Sequence, residues 1–183
     1  MAEYQSGGKW WKVEPLKNLT FVLPMSFFTG EFEHKVDPKG RLFVPRRILD
    51  GVSREEEGGK FIVTLGLDEG CLYLFTRLGF KAHLRGMKKA AFGKKEYRAV
   101  MRGIGALSSE QALDSQGRLL LPEDLRNRIG LKDRAVVVGA IDHVEIWEFT
   151  QYREHASPEA EATYLEQAEI FLQGDAEAEG GQP

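Results

Sequence analysis

The 183-residue sequence contains a single cysteine and no long apolar run. One cysteine, Cys71, excludes a disulfide within the chain and fits a reducing compartment. No stretch reaches the roughly 18 apolar residues that a membrane-spanning helix needs. We therefore predict a cytoplasmic protein in which Cys71 is a small buried apolar side chain rather than a reactive thiol.

The sequence also lacks the spacings that are typical of catalytic and metal sites. Glu31, Glu33 and His34 lie near Asp37, but strand alternation places the two glutamates on one face and the histidine on the other. The remaining histidines show no ligand-like spacing: His83, His143 and His155. The segment 58–60 (GGK) lacks the upstream glycine and the following Ser or Thr of a phosphate loop. We therefore predict no enzymatic activity, no metal and no cofactor.

The net charge of −3 hides an uneven distribution of charge along the chain. Residues 34–47 carry five bases against Asp37, and residues 77–102 carry nine bases against Glu96. Residues 154–183 carry eight acids and no Lys or Arg. Basic blocks followed by an acidic end are typical of a protein that binds phosphate groups, although solvated surfaces give the same composition.

The most informative feature of the sequence is an internal repeat. Residues 37–45 (DPKGRLFVP) recur as residues 114–122 (DSQGRLLLP), with Asp, Gly, Arg, Leu and Pro matching at an offset of 77. Downstream, residues 61–68 align with 135–142 at an offset of 74, and residues 71–75 align with 144–148 at an offset of 73. The chain therefore contains two copies of one small unit.

Each copy predicts the same order of elements. A strand, at about 28–36 and 105–113, leads into a turn with Asp first and Gly fourth, which is the pattern of a type I β-turn. A short apolar strand follows at 42–44 and 119–121 and ends at a proline. A helical turn and two further strands complete the unit. Helices are predicted at 76–102, with a break near Gly93, and after Thr150, with disorder from Gln173 onward.

The doubled turn favours DNA binding. A unit of this size cannot bury both of its faces alone, so the two copies should interlock. The turns would then project Lys and Arg side chains from a rigid β scaffold. Arginine forms forked hydrogen bonds to both phosphate and guanine, which makes such a surface suitable for DNA.

The run FTGEFEHKVDPKGRLFVP at residues 28–45, echoed at 114–122, resembles the MraZ family of bacterial regulators, which are found with the division and cell-wall gene cluster. The resemblance covers residues 26–171. It implies an α+β, β-rich fold, namely a pseudo-twofold AbrB-like swapped-hairpin β-barrel made by two tandem repeats, with helices between the repeats and at the C-terminus. It also implies ring-like homo-oligomers that bind short promoter repeats in double-stranded DNA and act in the nucleoid on that cluster and on their own operon.

Carried over by position, the motif residues are Asp37 and Arg41 in the first copy and Asp114 and Arg118 in the second. The predicted DNA-contacting residues are Lys35, Lys39, Arg41, Arg46, Arg47 and Arg118. The predicted turn-forming residues are Asp37, Gly40, Asp114 and Gly117. The first copy should contribute more to electrostatic binding, because Gln116 replaces Lys39 and acidic residues replace Arg46 and Arg47. A purely structural Asp–Arg pair that fixes the turn remains the alternative.

The repeat also predicts how the chain is divided. We expect an N-terminal extension at 1–25, repeats at 26–77 and 105–151, a basic helical connector at 78–104, and a C-terminal helix with an acidic disordered tail at 152–183. The competing function is an AbrB-type antitoxin or another non-catalytic DNA-binding partner protein. The doubled repeat disfavours an antitoxin, because such antitoxins carry one copy and dimerise. No membrane partner and no small-molecule substrate are expected.

Overall fold

The computed structural model describes residues 27–50, 52, 59–86, 95–157, 162–163 and 166. Its strands and helices are, in chain order, β1 (Glu31–Lys35), β2 (Arg41–Phe43), α1 (Arg46–Asp50), β3 (Lys60–Leu65), β4 (Cys71–Thr76), α2 (Arg77–Gly86), α3 (Lys95–Ala106), β5 (Ser108–Ala112), β6 (Arg118–Leu120), α4 (Glu123–Arg128), β7 (Arg134–Gly139), β8 (Val144–Glu148) and α5 (Phe149–His155). The order β-β-α-β-β occurs twice, and helices α2 and α3 connect the two copies. The fold is therefore α+β and rich in β-structure, as the sequence predicts.

The two repeats exchange strands. A six-stranded antiparallel sheet has the order β1-β7-β8-β4-β3-β5, so β1 of the first repeat pairs with β7 of the second. In the same way β5 of the second repeat pairs with β3 of the first, and β4 and β8 meet at the centre. A two-stranded antiparallel ribbon joins β2 to β6. Each repeat thus completes the sheet of the other.

The main hydrophobic core lies where the ribbon, the sheet and the short helices α1 and α4 meet. Its fully buried side chains come from both repeats: Leu42, Ile48, Val63, Leu72, Leu119, Leu121, Leu125, Val144 and Ile146. Leu42 and Leu119 are the central residues of β2 and β6, so their burial holds the ribbon against the rest of the molecule. Burial of this kind stabilises the fold by about 1.5–3 kcal/mol for each large apolar side chain.

A second cluster covers the opposite face of the sheet. Strand β4 is buried on both faces, and Cys71, Tyr73 and Phe75 point into this second cluster together with Trp147 of β8. Phe80 of α2 and Phe149 and Tyr152 of α5 pack on its edge. The predicted burial of Cys71 is confirmed, and this burial raises the pKa of its thiol.

Two details of the structure differ from the expectation, and two predictions are not tested. The sheet ends at β1 and β5, so no closed barrel is found among the described strands. Strand β5 begins at Ser108, not at Gly105, because α3 continues through both of its last glycines and ends where the Ser108 hydroxyl donates to the carbonyl of Ile104 at 2.6 Å. Gly93 and residues 173–183 lie outside the described residues, so the predicted helix break and the disordered tail remain predictions.

Within the described part of the chain, no helix is long and apolar enough to cross a membrane.

Candidate functional site

The first turn, residues 37–41, is built around the carboxylate of Asp37. Its Oδ1 accepts hydrogen bonds from the backbone N–H groups of Lys39 and Arg41, both at 2.9 Å. The N–H of Gly40 donates to the Asp37 carbonyl at 2.8 Å and closes the turn. Gly40 has φ = +78°, which residues with a side chain adopt only with strain. A turn followed by a left-handed residue is a standard hairpin connection, and it requires Gly at this position.

The second turn repeats this geometry. The Oδ1 of Asp114 accepts hydrogen bonds from the N–H groups of Gln116 at 2.9 Å and Arg118 at 3.0 Å. The N–H of Gly117 donates to the Asp114 carbonyl at 2.9 Å, and Gly117 has φ = +79°. The sequence motif of Asp, Gly and Arg is therefore the set of residues that this turn needs.

The other carboxylate oxygen in each turn holds an arginine. Asp37 Oδ2 accepts from Arg41 Nε at 2.6 Å, and Asp114 Oδ2 accepts from Arg118 Nε at 2.8 Å. The two arrangements also meet, since Arg118 Nη1 lies 3.8 Å from Asp37 Oδ2. Both arginine side chains remain partly exposed, at 30% and 27% of their surface. Each aspartate therefore caps its turn and orients a guanidinium group before any ligand arrives.

These contacts keep both aspartates ionised. The backbone N–H of Arg41 lowers the pKa of Asp37, with further contributions from the Arg41 side chain and the Lys39 N–H. The side-chain hydrogen bond from Arg118 lowers the pKa of Asp114 to about 2. At neutral pH each turn therefore presents a fixed carboxylate–guanidinium pair.

We expect Asp114→Asn to remove part of the pH dependence of stability. A carboxylate whose pKa falls on folding, here from 3.8 to about 2, stabilises the native state above pH 3.8, and this contribution is lost as the pH falls towards 2. The difference in unfolding free energy between wild type and Asp114→Asn should therefore be constant above about pH 5 and shrink below pH 4. Urea denaturation at a series of pH values measures it. A difference that stays constant down to pH 2.5 would contradict this assignment.

The ribbon brings the two motifs onto one surface. In the β2–β6 pairing Arg41 is opposite Leu120, and Phe43 is opposite Arg118. The central Leu42 and Leu119 are fully buried beneath them. Because successive side chains of a strand point to opposite faces, both arginines lie on the outer face of the ribbon. Residues 77 positions apart in sequence are thus neighbours in one small site.

The other predicted DNA-contacting residues surround the ribbon. Lys39 is exposed at the tip of the first turn, and Arg46 and Arg47 are exposed on α1. Arg46 lines a cleft together with residues 112–117, so this first-repeat arginine borders the second turn. Lys35, exposed at the end of β1, is opposite Arg134 of β7.

Arg126 follows the second turn in the sequence but contacts the first turn in the structure. It belongs to α4 of the second repeat, but a Cβ added to Gly40 would lie 2.5–2.7 Å from its guanidinium atoms. Its Nε donates to the carbonyl of Leu121 at 3.0 Å, which holds the side chain over the first turn. No local signal in the sequence could have indicated a contact between residues 86 positions apart. The charge around each turn is therefore supplied by both repeats.

Comparison with known proteins connects this geometry to a family. The family model described as "MraZ protein, putative antitoxin-like" matches residues 27–103 and 106–173, which include both turns and the whole ribbon. The chain is 38% identical over 145 residues to a protein named transcriptional regulator MraZ from Pelotomaculum thermopropionicum, covering 79% of this chain and 95% of the relative.

Two further similar proteins have the same name as the first. The identity is 40% over 145 residues with the transcriptional regulator MraZ of Carboxydothermus hydrogenoformans, covering 79% of this chain and 96% of the relative. It is 37% over 151 residues with that of Heliobacterium modesticaldum, covering 81% of this chain and 99% of the relative. The chain therefore belongs to the MraZ family.

Proposed function

We propose that this protein is a sequence-specific, DNA-binding transcriptional regulator that uses the outer face of the β2–β6 ribbon. One observation carries the proposal: Arg41 and Arg118 lie on the same face of the ribbon, and Asp37 contacts both. A two-stranded ribbon fits the major groove of B-DNA, where arginine recognises the O6 and N7 atoms of guanine. Orientation before binding reduces the entropy that each arginine loses on binding DNA. The names of the relatives support a regulatory role.

Each residue of the site then has a defined role. Arg41 and Arg118 contact base edges. The cations around them contact phosphates: Lys35, Lys39, Arg46 and Arg47. The turns that position these side chains are formed by Asp37, Gly40, Asp114 and Gly117. Catalysis and a cofactor play no part in this proposal.

The regulated genes and the assembly complete the proposal. The protein binds short repeats in double-stranded promoter DNA, upstream of the division and cell-wall gene cluster and of its own operon, as a ring-like homo-oligomer in the cytoplasm and nucleoid. The repeats at 26–77 and 105–151 form one binding unit per chain, and the ring places several units along the DNA. A footprint on the promoter of its own operon tests the target. Light scattering that reports a monomer across micromolar concentrations would rule out the ring.

We expect binding to weaken steeply with salt, because each phosphate contact releases counterions. With four phosphate contacts per chain, affinity should fall about 10²-fold between 50 and 200 mM salt. Lys39→Ala should reduce the slope of log affinity against log salt by about one and weaken binding to all sequences alike. The matched control is Gln116→Ala, which changes the same turn position in the second repeat and should leave the slope unchanged. Fluorescence titration of a promoter duplex measures both. A slope near zero for wild type would refute the proposed function, and co-purification with a protein partner instead would favour an antitoxin.

A further inference from the structure

Two large apolar side chains are exposed on the same ribbon. Phe43 is 44% exposed and Leu120 is 45% exposed, and they occupy equivalent positions in the two repeats. Neither belongs to the two hydrophobic clusters of the protein. Phe43 contacts the ring of His34 at a centroid distance of 5.8 Å and lies against Gly117. Packing within the fold therefore leaves almost half of each side chain exposed to solvent.

The exposed residues alternate with the two arginines. Arg41 is paired with Leu120, and Arg118 is paired with Phe43. On the outer face of the ribbon, each of these two cross-strand pairs thus combines an arginine with an apolar side chain. The arginine belongs to β2 in one pair and to β6 in the other. Side chains that face each other across two antiparallel strands have Cβ atoms about 4.5–5.5 Å apart. Each apolar side chain therefore lies within one or two base steps of the site that its neighbouring arginine would contact, since base pairs are stacked about 3.4 Å apart.

Thymine has the apolar group that fits this arrangement. In the major groove the edges of guanine, cytosine and adenine present polar atoms, whereas thymine presents its C5-methyl group. We propose that Phe43 and Leu120 recognise thymine methyl groups next to the bases that Arg41 and Arg118 contact. This inference rests on the proposed DNA-binding function and adds two specificity-determining residues to it.

A second copy of the chain is the competing occupant of this surface. The partly exposed ion pairs of Arg41 and Arg118 argue against it, because charged residues are depleted from the buried centre of protein interfaces. DNA interfaces are by contrast rich in positive charge and polar groups. An alternating pattern of arginines and apolar side chains is therefore better suited to the floor of the major groove than to a subunit contact.

The test removes the methyl group from the DNA. A duplex is first selected by the wild-type protein from a random-sequence pool, and each thymine in it is then replaced in turn by deoxyuridine. Loss of one buried methyl group should weaken wild-type binding about fourfold at the recognised thymines and leave the others unchanged. Phe43→Ala should bind the thymine duplex several-fold more weakly and lose its sensitivity to deoxyuridine at one set of positions. Leu120→Ala should lose its sensitivity to deoxyuridine at the remaining recognised thymines.

The matched control is Phe27→Ala, which removes a phenylalanine that is 63% exposed and precedes β1, on the side away from the first turn. It should leave the deoxyuridine pattern unchanged. A wild-type protein that selects and binds no duplex would refute the proposed function itself. Tight binding without any deoxyuridine effect, or a selected consensus without fixed thymines, would overturn only the present inference. A Phe43→Ala variant that keeps the deoxyuridine pattern but changes oligomer size would assign the surface to a second copy. Thermal melts show whether each variant is folded. If Phe43→Ala does not fold, Leu120→Ala alone tests the recognition of thymine methyl groups.

Discussion

Arg41→Ala is expected to weaken binding of specific DNA by about 5- to 150-fold, which corresponds to ~1–3 kcal/mol, and to relax the sequence preference. Asp37 orients this arginine through a 2.6 Å contact, so alanine would remove the proposed base contact, for which the side chain is already oriented in the free protein. Competition titrations with specific and random duplexes measure both effects.

The same change in the second repeat should be milder. Arg118 lies between two carboxylates, at 2.7 Å from Asp114 and 3.8 Å from Asp37, so its charge is more fully compensated within the protein. The first turn in addition carries Lys39 and is covered by Arg126. We therefore expect Arg118→Ala to reduce specific binding in the same manner but by a smaller factor. A greater loss for Arg118→Ala would show that the local charge does not predict which turn contributes more to specific DNA binding.

Both variants should remain folded. A partly exposed ion pair contributes about 0–1 kcal/mol to stability, so loss of Arg41 should leave the fold and the oligomeric state unchanged. The melting temperature of each variant is the control. An Arg41→Ala protein that fails to fold would favour the alternative in which Asp37 and Arg41 only fix the turn.

Leu42→Ala is expected to lower the free energy of unfolding by about 2–5 kcal/mol. Leu42 is fully buried at the centre of β2, where its side chain helps to hold the ribbon on the core. Its removal leaves a cavity that the surrounding side chains fill only in part. Urea denaturation of the purified protein gives the free energy from the transition midpoint and slope.

The adjacent residue supplies the matched control. Phe43→Ala removes a larger side chain from the outer face of the same strand, and we expect a change within about 0.5 kcal/mol. The two variants thus separate stability from recognition, since the first should weaken folding and the second should weaken DNA binding. Equal destabilisation by both would contradict the orientation of β2 described above.

The turns are the part of this protein that local sequence determines. Asp37 bonds to N–H groups two and four residues away, and Gly40 takes the left-handed conformation that the hairpin needs. These contacts span five residues, so residue identity alone specifies them, and Asp114 to Arg118 repeat them for the same reason. The order of strands and helices could likewise be read from the repeat. The glycines at the end of α3 were misleading, because a serine hydroxyl caps that helix only after both glycines.

Tertiary structure decided whether each strand and each side chain of the site contacts its own repeat or the other repeat. Strand β1 could by composition pair within its own repeat, but it pairs with β7. Arg126 reaches the first turn and Arg46 borders the second, so both cross to the other repeat. Two similar repeats offer nearly equivalent pairings, and the choice depends on the length of the connections and on how the whole core packs. The sequence by itself thus determined the two turns and their arginines, while the exchange of strands decided that both arginines lie together on one ribbon.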